Sequence, residues 1–137
     1  MPYNQLYTIA SQGLSLENLR IKVIAHNIAN QHALQKTNGA LFKPMQVLST
    51  AKPFEQYVDE GGIDSITLLP QQLPPSKAYE PTHPAADKEG YVTYPGVNTV
   101  DEMTTLLRAS NAYEANIKLM NAAHRLYLKA LSIGEDK

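Results

Sequence analysis

The residues with the clearest chemical potential are four histidines, His26, His32, His83 and His124. Histidine binds metals and transfers protons near neutral pH, but a zinc site needs several ligands at matching spacing. The first three have no histidine or carboxylate companions at ligand spacing, and the chain contains no cysteine. The sequence therefore predicts no metal site and no cofactor.

The segment Asp87-Lys88-Glu89-Gly90 has the composition of a calcium-binding loop. It lacks the alternating acidic ligands and the closing glutamate of such a loop, so we expect a turn here. Serine, histidine and aspartate are all present, but the sequence contains no nucleophile elbow and no phosphate-binding loop. We therefore expect no catalytic residues. An enzyme with a site in the middle of the chain remains an alternative without a supporting motif.

The charge balance restricts the partners. The 137 residues include 12 Lys and Arg against 13 Asp and Glu, which gives a net charge of −1. Nucleic acids and anionic membrane surfaces attract strongly basic proteins, so we expect neither of them as a partner, and no small-molecule substrate. A near-neutral surface has little self-repulsion and suits a protein that associates. Residues 1–5 lack the features of a cleavable signal, and no apolar run is long enough to span a membrane.

Residues 1–30 are predicted to form a long N-terminal helix. From Tyr3 onward they contain no proline and a single glycine, Gly13. At 100° per residue the apolar side chains fall into two stripes. One stripe carries Leu6, Ala10, Leu14, Ile21, Ile24 and Ile28, and the other carries Ile9, Leu16, Leu19 and Val23. Glu17 and Arg20 interrupt the apolar side of this helix.

Residues 99–137 are predicted to form a second, longer helix. Asn98 and Thr99 are candidate N-caps, and acidic residues follow them at the positive end of the helix dipole. A seam that alternates by three and four residues is typical of a coiled coil. It consists of Met103, Leu106, Ser110, Tyr113, Ile117, Met120, His124, Tyr127 and Leu131. A second stripe on the opposite face consists of Ala112, Ala115, Leu119, Ala122, Leu126, Ala130 and Ile133.

Two residues of the seam are polar. We interpret Ser110 as a tight-packing position that fixes the register of the helices. We interpret His124 as a hydrogen-bonded interface residue, with a pH-sensitive or metal-binding role as the alternative. Tyr113 and Tyr127 combine an apolar ring with a hydroxyl group, which suits a packed interface.

Residues 31–98 separate the helices and hold eight of the nine prolines. Short β-compatible pieces lie at residues 45–48, 63–69 and 91–94, and predicted turns lie at residues 37–39 and 59–62. Residues 73–75 and 79–81 favour extended, polyproline-like backbone. We expect a small, irregular β-containing arm without a large core of its own.

The expected fold is therefore mainly α, with the two terminal helices forming one domain and a coiled-coil bundle within or between subunits. If the helices pack on each other through one stripe each, the other stripes remain free, and burying each leucine or isoleucine there contributes about 1.5–3 kcal/mol to association. The N-terminal interface would contain Leu6, Ile9, Leu14, Leu16, Ile21, Val23, Ile24 and Ile28. A globular monomer that buries both helices, and an adaptor or chaperone that holds a client, are the alternatives.

Three stretches resemble the bacterial flagellar axial proteins. Residues 25–30 are similar to the asparagine-rich signature that ends the N-terminal helix of rod, hook and hook-associated proteins. Residues 79–92, followed by residues 95–98 and 102–103, resemble a block typical of the proximal rod type, and residues 109–116 resemble the C-terminal signature. The residues that carry these matches are Asn27, Asn30, Tyr79, Glu80, Pro81, Gly90, Tyr91, Pro95, Tyr113, Ala115 and Asn116. Residues 31–43 depart from the family's turn of small residues.

This resemblance implies a structural subunit of the proximal rod, the drive shaft that crosses the periplasm and transmits motor torque. It implies export by the flagellar type III apparatus without a cleaved signal, and terminal helices that order into a coiled-coil tube on assembly. The implied partners are copies of the chain, sister proximal rod subunits, the distal rod and the export-gate adaptor FliE.

Asn27 and Asn30 lie three residues apart on one helix face. Their amides could satisfy backbone groups where the helix gives way to the arm, or bond to a neighbouring subunit. An exposed helix end without a specific role is the alternative.

Overall fold

The computed structural model describes residues 2–34, 39–51 and 62–135, and contains two long helices and two antiparallel strand pairs. The elements are α1 (Pro2–Ala29), β1 (Met45–Ala51), β2 (Ile63–Pro70), β3 (Ser76–Tyr79), β4 (Tyr91–Tyr94) and α2 (Thr99–Glu135). The two long terminal helices and the small β-containing middle region are thus present as predicted. The predicted turns at residues 37–39 and 59–62 lie largely outside the described residues.

The end of α1 follows from its local hydrogen bonds. The backbone N–H of Asn30 is shared between the carbonyls of His26 and Asn27, each at 3.2 Å. Gln31 then donates to the carbonyl of Ile28 at 3.2 Å. These short-range bonds tighten the last turn and satisfy carbonyls that would otherwise lack partners at the helix end. The chain can therefore leave the helix sharply and enter the middle region.

The start of α2 is capped by Asn98. Its Oδ1 accepts hydrogen bonds from the backbone N–H of Val100 at 3.1 Å and, more weakly, of Asp101 at 3.4 Å. Its own carbonyl accepts the N–H of Glu102 at 3.0 Å. This is the geometry expected of an N-cap, so Asn98 rather than Thr99 fills that role. From here α2 continues for 37 residues, or about 55 Å at 1.5 Å per residue.

The two helices pack against each other in antiparallel directions. Gly13 of α1 lies against the side chain of Asn116, and Asn27 near the end of α1 bonds to Glu102 at the start of α2. On α2 the contact face carries Glu102, Ala109, Asn116 and Ala123, which are spaced by seven residues, and both alanines are almost fully buried. Small side chains on both helices let the two backbones approach closely.

Replacing Gly13 with alanine is expected to destabilise the chain by about 1–3 kcal/mol, although alanine is the better helix former. A Cβ at position 13 would lie 2.8 Å from Nδ2 of Asn116, and within 3.0 Å of two further atoms of that side chain. Urea unfolding of the single variants and of Gly13→Ala/Asn116→Ala forms a double-mutant cycle. In the Asn116→Ala background the same substitution should become neutral or stabilising, by up to about 1 kcal/mol. Equal effects in both backgrounds would contradict the close packing.

The pair β1–β2 covers a second face of α1. The strands are antiparallel, with Met45 opposite Pro70 and Leu48 opposite Thr67, and both pack on α1. Oε1 of Gln12 in α1 accepts the backbone N–H of Ile63 at 2.9 Å, and Leu16 is buried. From the sequence we expected the middle region to offer little apolar cover. The strand pair packs on α1, but its large apolar side chains Leu48, Ile66 and Leu68 are exposed.

Of the pair β3–β4, only β4 was predicted from the sequence, because residues 76–79 of β3 carry no clear strand pattern. Their strand exists because β4 pairs with them, with Tyr79 opposite Tyr91. The expected turn at residues 87–90 ends the connection between the two strands, and Gly90 adopts φ +86°, which L-residues with side chains rarely adopt. Oδ1 of Asp87 accepts the N–H groups of Glu89 and Tyr91, each at 2.9 Å.

These bonds lower the pKa of Asp87 below its ordinary 3.8, chiefly because the carboxylate accepts the N–H of Tyr91. A carboxylate with a lowered folded-state pKa stabilises the turn above pH 3.8 and loses that effect as the pH falls through its folded-state value. NMR titration should therefore place the midpoint of Asp87 below 3.8, with the amide signal of Tyr91 changing in parallel. In Asp87→Asn the amide oxygen still accepts but does not titrate, so this pH dependence should vanish. A midpoint at or above the ordinary value would contradict the turn geometry.

Candidate assembly surface and helix junction

Asn27 forms the centre of a buried junction between the two helices and the middle region. Its side chain is fully buried near the end of α1. Oδ1 accepts the backbone N–H of Met45 at 2.9 Å, and Nδ2 donates to the carbonyl of the same residue at 2.8 Å. The amide thus bonds the first residue of β1 as a neighbouring strand would. Nδ2 also donates to Oε2 of Glu102 at 3.2 Å, which connects Asn27 and Met45 to α2.

Glu102 and Gln71 complete this junction. Glu102 is buried in the first turn of α2, and its Oε1 accepts from Nε2 of Gln71 at 2.9 Å. The backbone N–H of Gln71 donates to the carbonyl of Pro44 at 2.7 Å. Both carboxylate oxygens of Glu102 therefore have donors, as a buried charge requires. The side chains of Asn27, Gln71 and Glu102, with the backbone groups of Met45 and Pro44, thus connect the end of α1, the start of β1, the end of β2 and the start of α2.

A second set of contacts lies beside this junction. Oγ1 of Thr99 donates to Oε1 of Gln31, so the first residue of α2 bonds to the turn after α1. The ring of His32 meets that of Tyr94 edge-on at 5.6 Å, and the Tyr94 hydroxyl donates to Oε2 of Glu80 at 3.2 Å. Desolvation, followed by the charge of Glu80, raises the pKa of Tyr94. The pair β3–β4 is thereby linked to the end of α1.

Asn30 differs from Asn27 in its surroundings. Its Nδ2 donates to the carbonyl of His26 at 2.8 Å in an exposed setting, which closes the last turn of α1.

The other signature residues lie around β3 and β4 or on α2. Tyr79 and Tyr91 pack their rings edge-on at 5.3 Å, and Pro95 is buried. Pro81 and Ala115 are exposed, whereas Gly90, Tyr113 and Asn116 are half-buried.

The outer surface of α2 is unusually apolar. We use this name for its exposed large apolar residues, which are Val100, Met103, Leu107, Leu119, Leu126, Tyr127, Leu128, Leu131 and Ile133. Leu126 is 64% exposed, Leu131 49% and Ile133 76%. Single exposed leucines are ordinary, whereas many exposed large apolar side chains on one helix are typical of surfaces that bind other proteins.

The last turns of α2 are exposed because α1 is shorter. α1 has 28 residues against 37 in α2. The contacts Gly13–Asn116 and Asn27–Glu102 bring position 127 level with the start of α1. Residues beyond it, including Leu128 and Leu131, therefore have no part of α1 opposite them. The large apolar side chains of these turns are exposed to solvent in the part of the chain that the structure describes.

The predicted interface residues divide into three groups. Leu16 and Ile24 are buried within the chain. Half-buried are Leu6, Ile9, Leu14, Ile21, Val23, Ile28, Leu106, Ser110, Tyr113, Ile117 and Met120. Exposed are Met103, His124, Tyr127 and Leu131. Their assignment to an interface between subunits stays a prediction.

Sequence reasoning missed the positions that bring the helices together. Ala109 and Ala123 precede Ser110 and His124 of the predicted seam, and they are the most deeply buried residues of α2. A search for large apolar residues at heptad spacing passes over them, because close helix contact is made by small side chains. Ala109 and Ala123 lie two heptads apart, and this spacing is the feature of the sequence that could have identified them as contact positions. Gln12 and Gln71 had no such signal, and the bonds of Glu102 to Asn27 and Gln71 could not be predicted, because these partners are distant in sequence.

Metal sites, membrane-spanning helices and grooves are the other kinds of feature that bear on function. Within it, no three histidine, aspartate or glutamate residues are arranged to hold a metal ion. None of the helices in these ranges is long and apolar enough to cross a membrane. An open groove of about 890 Å³ lies between the strand pairs, lined by apolar residues such as Phe42, Leu69 and Leu73 and by glutamines.

Comparison with known proteins identifies the class. A family model described as flagellar basal body rod FlgEFG protein C-terminal matches residues 88–133. These residues comprise the turn before β4, β4 itself and most of α2. The matched region therefore includes the capped start of α2 and the whole of its apolar outer surface, and it indicates the class of flagellar basal-body rod proteins.

Relatives that align with nearly the whole chain identify one family within this class. The flagellar basal-body rod protein FlgC of Salmonella typhimurium is 33% identical over 132 residues, which cover 95% of this chain and 96% of that protein. FlgC of Borreliella burgdorferi is 33% identical over 141 aligned positions, covering 91% and 93%. FlgC of Escherichia coli O6:H1 is 31% identical over 130 residues, covering 95% and 96%. The chain belongs to the FlgC family of flagellar basal-body rod proteins, and this membership supports the rod subunit over an adaptor.

Proposed function

We propose that the chain is a structural, non-enzymatic subunit of the proximal rod of the bacterial flagellum. It reaches the periplasmic rod through the flagellar type III export apparatus. There it packs against copies of itself, sister proximal rod subunits, the distal rod and the export-gate adaptor FliE. The family membership supports the rod assignment. The outer surface of α2 is the single observation that carries the mechanism.

Assembly is driven by burial of that outer surface. Each exposed leucine or isoleucine that becomes fully covered contributes about 1.5–3 kcal/mol before the entropy of association is subtracted. The predicted seam from Met103 to Leu131 lies partly against α1 and partly toward the neighbours, so one helix serves both contacts. In the assembled rod the terminal helices form one domain and pack into a coiled-coil tube around the rod axis.

Torque passes through this tube because close-packed helices resist twisting. The junction around Asn27 holds the middle region to the helix pair by hydrogen bonds from four parts of the chain. A rotation applied to the helices is therefore also applied to β1 and β2. The middle region serves as an arm that contacts neighbouring subunits at larger radius.

The proposal is tested by expressing a tagged copy in a flagellated bacterium that lacks its own copy of the gene. Basal bodies purified from swimming cells should contain the tagged chain, and electron microscopy with a tag-directed label should place it on the rod. A strain with an empty vector serves as the control. Swimming without any tagged chain in the basal body, or a stable soluble complex with one client protein, would contradict the proposal.

A further inference from the structure

Glu17 is a buried carboxylate within the face of α1 that packs on α2. It follows Ala10 by seven residues and precedes Ile24 by seven, so the three share one helix face. Ala10 and Ile24 are almost fully buried, and Glu17 is 7% exposed. The antiparallel register places Glu17 level with Ala112 of α2, whose methyl side chain has no hydrogen to donate.

Half of this carboxylate has a partner within the chain. Oε1 lies 3.3 Å from Nη1 of Arg20, one turn further along α1. Oε2 is buried and has no hydrogen-bond partner in the structure as described. The side chain of Arg20 is 31% exposed, so its charge is shared with solvent. A buried carboxylate oxygen without a donor destabilises the isolated subunit, because it has lost its hydrogen bonds to water and has gained no hydrogen bond within the protein.

We propose that Oε2 of Glu17 accepts a hydrogen bond from an arginine or lysine side chain of a neighbouring axial subunit. This inference rests on the proposed rod function. A cationic donor fits because charge-assisted hydrogen bonds are the strongest type at a water-poor site, and because Arg20 leaves the carboxylate incompletely neutralised. Oε2 is enclosed in the isolated subunit, so the neighbour's side chain reaches it when the side chains around Glu17 shift on assembly.

The test uses Glu17→Leu and Glu17→Gln, with Glu114→Gln as a control that removes a charge at an exposed site of α2. The melting temperature of the purified Glu17→Leu chain should equal or exceed that of the wild type, because an incompletely paired buried charge is gone. In a strain lacking the gene, each variant is expressed from a titratable promoter. Losing one charged interface pair per subunit should raise the induction needed for half-maximal swimming by about tenfold or more. Glu17→Gln should lie between Glu17→Leu and the wild type, and Glu114→Gln should match the wild type.

Wild-type swimming by Glu17→Leu would overturn the inference and indicate that water satisfies Oε2. A fall in melting temperature that accompanies lost swimming would overturn it too, because Glu17 would then act within the monomer. Wild-type behaviour of Glu17→Gln would show that the donor is not cationic. The proposed function fails separately, if the wild-type chain is absent from purified rods.

Discussion

Leu131→Glu is expected to abolish swimming while the purified chain keeps its wild-type stability. Leu131 is 49% exposed and lies beyond the start of α1, so a carboxylate there remains in water in the isolated subunit. In the rod the same carboxylate would be buried against apolar neighbours. Burying an unpaired charge costs far more than the roughly 1.5–3 kcal/mol that a buried leucine contributes. Repeated at every subunit, this penalty prevents assembly.

The measurement pairs a swimming assay with immunoblots of purified basal bodies and urea unfolding of the soluble chain. Ser132→Glu is the matched control, because it adds the same charge at the next exposed position without removing an apolar side chain. It should assemble substantially better than Leu131→Glu. If Leu131→Glu enters basal bodies at wild-type levels, the outer surface of α2 is not an interface.

Asn27→Asp is expected to destabilise the monomer by roughly 3 kcal/mol or more. Aspartate has nearly the same shape and could still accept the N–H of Met45, but it has no N–H to donate. Its second oxygen would lie about where Nδ2 now bonds the Met45 carbonyl at 2.8 Å and the Glu102 carboxylate at 3.2 Å. Two hydrogen bonds would thus become two repulsive contacts in a buried site.

Urea unfolding of the purified chain measures this effect, and Asn30→Asp provides the matched control. Asn30 loses only exposed hydrogen bonds, to the carbonyl of His26 and, at 3.4 Å, to its ring nitrogen Nδ1, so its substitution should cost less than about 1 kcal/mol. The contrast separates the two asparagines of the N-terminal signature. Similar losses at both positions would contradict the central role of Asn27.

The sequence predicted the features that depend on local pattern. Helical periodicity indicated α1 and α2. The apolar stripe from Ala112 to Ile133 is largely exposed, which agrees with the prediction that the two helices carry more apolar surface than they can bury against each other. Asn98 was a recognisable N-cap because its bonds reach only the next few residues. The turn at residues 87–90 was also readable, because glycine and aspartate favour it locally.

The sequence could not predict contacts that only the folded chain brings together. β3 has a weak strand pattern and forms because β4 lies beside it. Asn27 was noticed, but Met45 and Glu102 are 18 and 75 residues away from it. The close contact of Gly13 with Asn116 depends on an antiparallel register that no single helix reveals. The cover that β1 and β2 provide for α1 depends on tertiary packing in the same way.

The central claim is that neighbouring subunits cover the outer surface of α2. Because the chain has no cysteine, a single Leu128→Cys variant that still swims can report on this surface alone. Leu128 is 51% exposed, so the purified chain should react rapidly with a maleimide. The account predicts that the same cysteine is protected in intact purified basal bodies and reacts again after they are dissociated. Equal labelling rates in the isolated chain and in intact basal bodies would contradict it.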